Sequence, residues 1–312
     1  GSITNFTTTR KNLPAALELV FDAMHNSIMP QDEFDQFKKQ MQVMIESMRD
    51  KPDALAQNAI TQHFNTYPKG DPRYEYSLDE SLEQLNKLTV DQVRAFYKEF
   101  GGTSRGEISI VGDFDPKTVE KIIRDDYAKY VSKAHYAPVV TEYRPVKATR
   151  VVIDTPDKEN AIIVARSVFP INDTAPDAPA LTVANWILGG GTGLSNRLIE
   201  RLRQKEGLSY GAGSHVRIPA KGDNGSFVFR AIVAPQNMLQ AEASARDVIA
   251  KAIKDGFTDQ EVEEAKKGLL QAMQVARSQD DVVARSWNDK MENQRTWVFS
   301  KKQAEAISKL TT

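Results

Sequence analysis

The spacing of apolar and polar positions divides this chain of 312 residues into a helical first part and a second part in which strands precede helices. From Pro14 to Met29, Ala16, Leu17, Leu19, Val20, Ala23, Met24 and Ile28 recur at helical spacing. Pro14 is tolerated in the first turn, where its missing N–H would have had no partner. Pro30 stops the run, and Gln31 to Met48 predicts a second helix with Phe34, Phe37, Met41, Met44, Ile45 and Met48 on one side. Pro52 to Phe64 reads as a third. Thr89 is placed to cap another that runs through Tyr97 to Phe100. Glu107 to Val111 alternates as a short strand, and Gly112 to Asp115 turns into a helix headed by Pro116. Ser132 to Lys147 holds Pro138 and Pro145 and lacks helical period, so the linker is placed there.

Beyond the linker, Arg150 to Asp154 and Ala161 to Phe169 read as strands, followed by a helix from about Pro179 to Leu188. Ser209 to Ile218 and Gly225 to Val233 predict an antiparallel pair joined by a turn with Pro219 and Gly222. Pro235 to Lys254 and Asp259 to Ala276 are then two long helices. The run MPQDEFDQFKK at Met29 to Lys39 lies over FTDQEVEEAKK at Phe257 to Lys267, with Phe34 over Val262 and both lysine pairs in step. Leu88 and Thr89 match Leu310 and Thr311 at nearly the same separation. This predicts an internal duplication in which both ends are cut, the first copy lacking strands before its helices and the second its end. A longer parent would supply the strands that cover those apolar faces.

Composition narrows the chemistry. Forty-one basic against forty-two acidic residues leave a formal charge of -1, which asks for neither nucleic acid nor an anionic membrane. There is no cysteine, so disulfides, thiolate ligands and a cysteine nucleophile are excluded. No apolar run approaches the length of a membrane-spanning helix. His25, His63, His135 and His215 are scattered singly with no HExxH or HxxEH spacing, so no zinc site is expected within this chain. Ser195 lies in GTGLSNR rather than a nucleophile elbow, and the glycines lack both a Walker lysine and a preceding strand. The aromatic stretch Tyr67 to Tyr76 is either a packed surface loop or the lining of a groove.

The stretch Gly189 to Tyr210, GGGTGLSNRLIERLRQKEGLSY, stands apart. Its glycines ask for a tight turn or a close approach, and Leu194, Leu198, Ile199 and Leu202 give one apolar helical face. Arg203 and Tyr210 straddle the junction from helix to strand. A guanidinium and a phenol there could enter one cleft and hold a peptide carbonyl or a developing oxyanion. Alternatively, Arg203 pairs with Glu200 or Glu206 and Tyr210 packs in the sheet.

Residues Gly189 to Ser214, with the helix-turn-helix at Met29 to Lys39, LTVDQVRAFYKEF and GDFDP at Gly112 to Pro116, resemble the zinc metallopeptidases of the pitrilysin, insulin-degrading enzyme and mitochondrial processing peptidase family. The likeness is to the C-terminal, zinc-free half of a bacterial member and covers nearly the whole chain. It implies an α+β fold of two related domains, each an antiparallel-rich sheet with helices packed on it. Residues 1–147 would be the later part of the third family domain plus linker, and 148–312 most of the fourth, with the first lacking its N-terminal strands and the second its C-terminal end. It implies that Arg203 and Tyr210 bind substrate backbone and help stabilise the oxyanion. Zinc would sit in the N-terminal half of the parent or of a partner chain, and no metal in this one. The implied partners are that zinc-bearing half and a peptide substrate, and the implied compartment is the periplasm, with the cytoplasm as the alternative. The chain alone is expected to be inactive. Two other readings stand beside this one, an inactive partner subunit and a non-catalytic scaffold.

Overall fold

A computed structural model describes residues 3–191 and 196–312. Two compact units interleave along the chain. One comprises Gly1–Met44, Leu82–Pro138 and Gln279–Glu292, the other Ile45–Ser81, Val139–Ser278 and Asn293–Thr312.

The first unit is built on helix α1 (Leu13–His25), with Leu13, Leu17 and Phe21 spaced four residues apart and buried with Val119 of α6 (Pro116–Asp125). Helix α5 (Val90–Phe100) begins at the expected cap: Thr89 accepts from the Gln92 N–H, and the Gln92 side chain returns to the Thr89 N–H. The Glu107 to Val111 strand does not form. Ile108 and Ile110 pack onto the α1–α6 core instead, without a ladder partner among the described residues. Helix α11 (Asp280–Glu292) also belongs to this unit.

The second unit holds a three-stranded antiparallel sheet, in the order β1 (Ala161–Pro170), β3 (Asn224–Val233), β2 (Ser209–Arg217). One sheet face receives α9 (Met238–Asp255) through Ala241, Ala245, Val248 and Ala252, small residues that let helix and sheet approach closely. Phe229, Ala231, Val233, Leu198, Leu202 and Leu208 complete this core. A second cluster joins α7 (Ala178–Asn185), α10 (Asp259–Ala276) and α12 (Trp297–Ser308) through Val183, Val262, Ala265 and Ile307. Helix α3 (Pro52–His63) belongs to the same unit.

The expected strand at Arg150 to Asp154 is also absent. A strand needs a neighbour for its N–H and C=O groups; here Val151 and Val152 stay 60% and 62% exposed, and Arg150 is held by Glu242 at 3.0 Å.

The two runs aligned in the sequence make a matching contact. In the first copy Lys38, in α2 (Gln31–Met48), donates to the carbonyl of Leu88 at 2.8 Å. In the second, Lys266 in α10 donates to the carbonyl of Leu310 at 2.8 Å. The lysines are equivalent in the aligned runs, and each leucine precedes a threonine. The two runs therefore share a long-range contact as well as a helical pattern.

Candidate functional site

The site region runs from the end of α7 to the start of β2. After Asn185 the helix widens into a π-type turn, Trp186–Gly190, closed by a hydrogen bond from Gly191 N–H to the Trp186 carbonyl at 3.2 Å. Of the two roles the glycines could play, close approach is the one observed. A Cβ on Gly189 would lie 2.5 Å from the Ser214 nitrogen, and one on Gly213 would lie 3.2 Å from the Gly189 carbonyl. The helix end thus rests directly on β2, where Ser214 Oγ also bonds Asn185 at 2.9 Å. Thr192, Gly193, Leu194 and Ser195 lie outside the described residues.

The chain then forms α8 (Arg197–Ile199), capped by Asn196, whose Oδ1 accepts from the Ile199 N–H at 2.9 Å. Leu198 and Leu202 are fully buried and anchor the segment. Arg197 makes a two-pronged pair with Glu261 at 2.6 and 2.7 Å and lies over the Phe257 ring. Glu261 also closes the capping box of α10 with Thr258. The Arg197 guanidinium, aided by Thr258, holds the Glu261 carboxyl down to about 2. A depressed carboxyl stabilises the fold above its ordinary range near 4.5, and this contribution fades as pH falls toward 2. Arg197→Gln is therefore expected to cost about 2 kcal/mol at neutral pH. In urea titrations its deficit relative to the parent chain should shrink between pH 4.5 and 2; a deficit that stays constant would contradict the pairing.

From Glu200 to Lys205 the helix is again π-wide. This widening decides the fate of Arg203. In a regular α-helix, Glu200 and Glu206 lie three residues on either side of Arg203 and face it. With the extra residue per turn, the pairs that form are five apart: Lys205 with Glu200 at 2.8 Å and Arg201 with Glu206 at 2.6 Å. Both acids are taken, and Arg203 is exposed with no hydrogen bond or ion pair among the described residues. Gly207, at φ +61°, ends the helix in the left-handed region that favours glycine, and the Leu208 N–H reaches back to the Leu202 carbonyl at 2.8 Å.

Tyr210 sits at an irregularity in β2. Ser209 pairs with Val233 and Gly211 with Ile232, so Tyr210 is the extra residue of a β-bulge. The buried Ser209 hydroxyl fixes that bulge: it accepts from the Gly211 N–H at 3.1 Å and lies 2.7 and 2.8 Å from the carbonyl oxygens of Gly211 and Ile232. Tyr210 is 68% exposed and its hydroxyl has no partner among the described residues. Neither the surface ion pair for Arg203 nor the packed position for Tyr210 is what the structure holds. No hydrogen bond joins the two side chains; the turn between them brings both to the surface, seven residues apart.

The four histidines do not meet. His63 Nε2 sits 2.8 Å from the Lys147 carbonyl, His25 stacks on Tyr130, and His215 is exposed on β2. Among the described residues no group of three or more His, Asp or Glu side chains could hold a metal ion. The donor set among the described residues does not fit zinc. Likewise no helix among the described residues is long and apolar enough to cross a membrane.

Residues 87–269 match the family model described as the peptidase M16 inactive domain. The chain belongs to this family. It is 24% identical over 83% of its length to an uncharacterized zinc protease of Mycobacterium bovis, covering 57% of that protein. A similar match is to an uncharacterized zinc protease of Streptomyces coelicolor, 24% identical over 86% of this chain and 58% of that one. This chain thus spans a little over half the length of the curated relatives it matches. Among solved structures, the peptidase M16 inactive domain from Pseudomonas fluorescens superposes with a TM-score of 0.82 at 22% identity, covering 96% of this chain and 69% of that one. A protease from Helicobacter pylori does so at 0.77 and 19% identity, over 97% and 72%. The peptidase M16 inactive domain is the C-terminal half of the insulinase-type family, and the helices on a small antiparallel sheet are its α+β fold.

Proposed function

We propose that this chain is the zinc-free half of a metallopeptidase, closing over a peptide whose scissile bond meets zinc carried by the N-terminal half of the same protein or of a partner chain. The observation that carries this reading is the state of Arg203 and Tyr210. Both are solvent-facing and unpaired, yet the helix, turn and bulge beneath them are fixed by Leu198, Leu202, Gly207 and the buried Ser209 hydroxyl. Groups held ready but unsatisfied are what oxyanion stabilisation requires, because no partner has to be released as charge develops. In this role the Arg203 guanidinium donates to a backbone carbonyl of the substrate, and the Tyr210 phenol donates to the scissile carbonyl oxygen as it takes on negative charge and its carbon becomes tetrahedral.

A second reading has its own support. A Helicobacter pylori relative, 23% identical over 60% of this chain and 42% of its own length, is described as a non-peptidase homolog, and a partner or scaffold role for this chain would keep the fold without turnover. One experiment bears on the metal directly. The purified chain, supplied with zinc and a peptide mixture, is expected to release no cleavage products. Zinc-dependent hydrolysis that survives repurification and is lost on chelation would overturn the assignment of the metal to another half.

A further inference from the structure

The sheet face turned away from the Leu198–Leu202 core carries a second set of cations. Through the register, Arg166 stands opposite Val228, which stands opposite His215, and two residues along β3 Ser226 stands opposite Arg217. Side chains alternate along strands, so Arg166, His215 and Arg217 share the face opposite that of Phe227, Phe229 and Ala231. Arg230 lies on the same face and is taken by Asp53 at 2.9 Å. Arg166 and Arg217 have no hydrogen bond or ion pair from their guanidinium groups among the described residues.

Arg166 is held in place all the same. Its guanidinium lies over the Phe64 ring at 4.8 Å; Phe64 follows α3 directly and meets the His63 ring edge-on at 5.3 Å. The Arg166 Nε–H is buried and has no acceptor. Burial first, and then the like charge of Arg217, push its pKa down, while Glu75 opposes them without pairing with it. A buried donor without an acceptor is costly, and a guanidinium more so. The two Nη groups are not buried in this way, and they are the donors that an arriving anion can reach. The planar fork of an arginine matches a carboxylate with two parallel hydrogen bonds.

We propose that Arg166 and Arg217 form a carboxylate-binding subsite for an extended peptide lying along the β2 side of this face, beside α3, which lies against β1 and meets this face through Asp53 and, just past its end, Phe64. The peptide part of the proposal rests on the reading of Arg203 as a group that holds substrate backbone. Tyr210 and Arg217 lie seven residues apart on β2, about 24 Å at the rise of a strand, a span that an extended peptide of similar length covers. The subsite would then recognise an acidic group remote from the scissile bond.

The test uses the 312-residue chain and fluorescence anisotropy with three labelled peptides of equal length. The first is C-terminally amidated and carries aspartates and glutamates at one end, the second replaces them with asparagine and glutamine, and the third is the second with a free C-terminal carboxylate. The first or the third is expected to bind about tenfold more tightly than the second, and which of them does so identifies a side-chain or a terminal carboxylate as the ligand. Arg217→Gln and Arg166→Gln should remove that advantage. Arg217 is exposed, so its replacement leaves the fold intact. Arg203→Ala should weaken all three peptides alike, while Tyr210→Phe, whose donor acts on charge that develops only in turnover, should leave their binding unchanged. Equal binding of the three peptides, no measurable binding of any, or an advantage that survives Arg217→Gln would each overturn the subsite. If Arg203→Ala changes nothing while Arg217→Gln removes the advantage, the subsite stands and the backbone-holding reading of Arg203 falls.

Discussion

Leu202→Ala is expected to destabilise the sheet-bearing unit by about 3 to 5 kcal/mol. Leu202 is 0% exposed, sits in the same core as Leu198, Leu208 and Val233, and its carbonyl receives the Leu208 N–H that closes the helix. Truncation removes three carbons and leaves a cavity among residues fixed on several sides, so little collapse can relieve it. The neighbouring Arg203 loses its anchored position at the same time. The midpoint of the unit's unfolding in urea should fall by about 1 M or more, given slopes of about 1–3 kcal/mol per molar for domains of ordinary size. Leu239→Ala makes the control. Leu239 is 68% exposed, and its loss should change stability by less than about 0.5 kcal/mol. Equal shifts for the two variants would mean that the Leu198–Leu202 core does not hold this segment.

The helices that were legible in the sequence are those with a sustained apolar stripe. Leu13, Leu17 and Phe21 in α1 and Ala241, Ala245, Val248 and Ala252 in α9 show their periods because those residues meet a core. Burial is not the whole rule, since α3 was legible and buries no residue fully, but three other helices that bury little escaped that reading. Helix α4 (Leu78–Lys87) buries no residue fully, the buried residue of α11 is Lys290, and α12 buries only Ile307. The strands at Glu107 to Val111 and Arg150 to Asp154 failed for another cause: alternation describes one strand, whereas a ladder needs two, and the partner is not written in the local pattern.

At the site, the glycines and the helix-to-strand junction marked the region, and the resemblance singled out Arg203 and Tyr210. What could not be read was the width of the helix. A π-wide turn moves the charge pairs from three residues apart to five, and that shift alone separates Arg203 from Glu200 and Glu206. The bulge held by Ser209 was hidden in the same way, since S-Y-G reads as ordinary alternation until its register against β3 is known. The capping box of Thr258 and Glu261 has a sequence signature, T-x-x-E, but its link to Arg197 across the fold has none.

Under the proposed function, in an assembly with a zinc-bearing half, Arg203→Ala and Tyr210→Phe should each lower turnover by about 100-fold to 1,000-fold, the loss found when one donor to an oxyanion is removed. Both side chains are exposed and make no contact that the fold depends on, so stability should stay within about 0.5 kcal/mol of the parent. Tyr210→Phe keeps the ring and deletes only the donor. Arg203→Lys keeps the charge but gives up the planar fork and should recover only part of the rate. For a role in substrate binding alone the loss would fall on KM; for oxyanion stabilisation it falls on kcat.

The decisive measurement is kcat per bound zinc for Tyr210→Phe in that assembly. A full complement of zinc with turnover reduced at least about 100-fold is expected. Turnover equal to the parent's, at equal zinc, would take the phenol out of the mechanism and leave this chain a lid without chemistry.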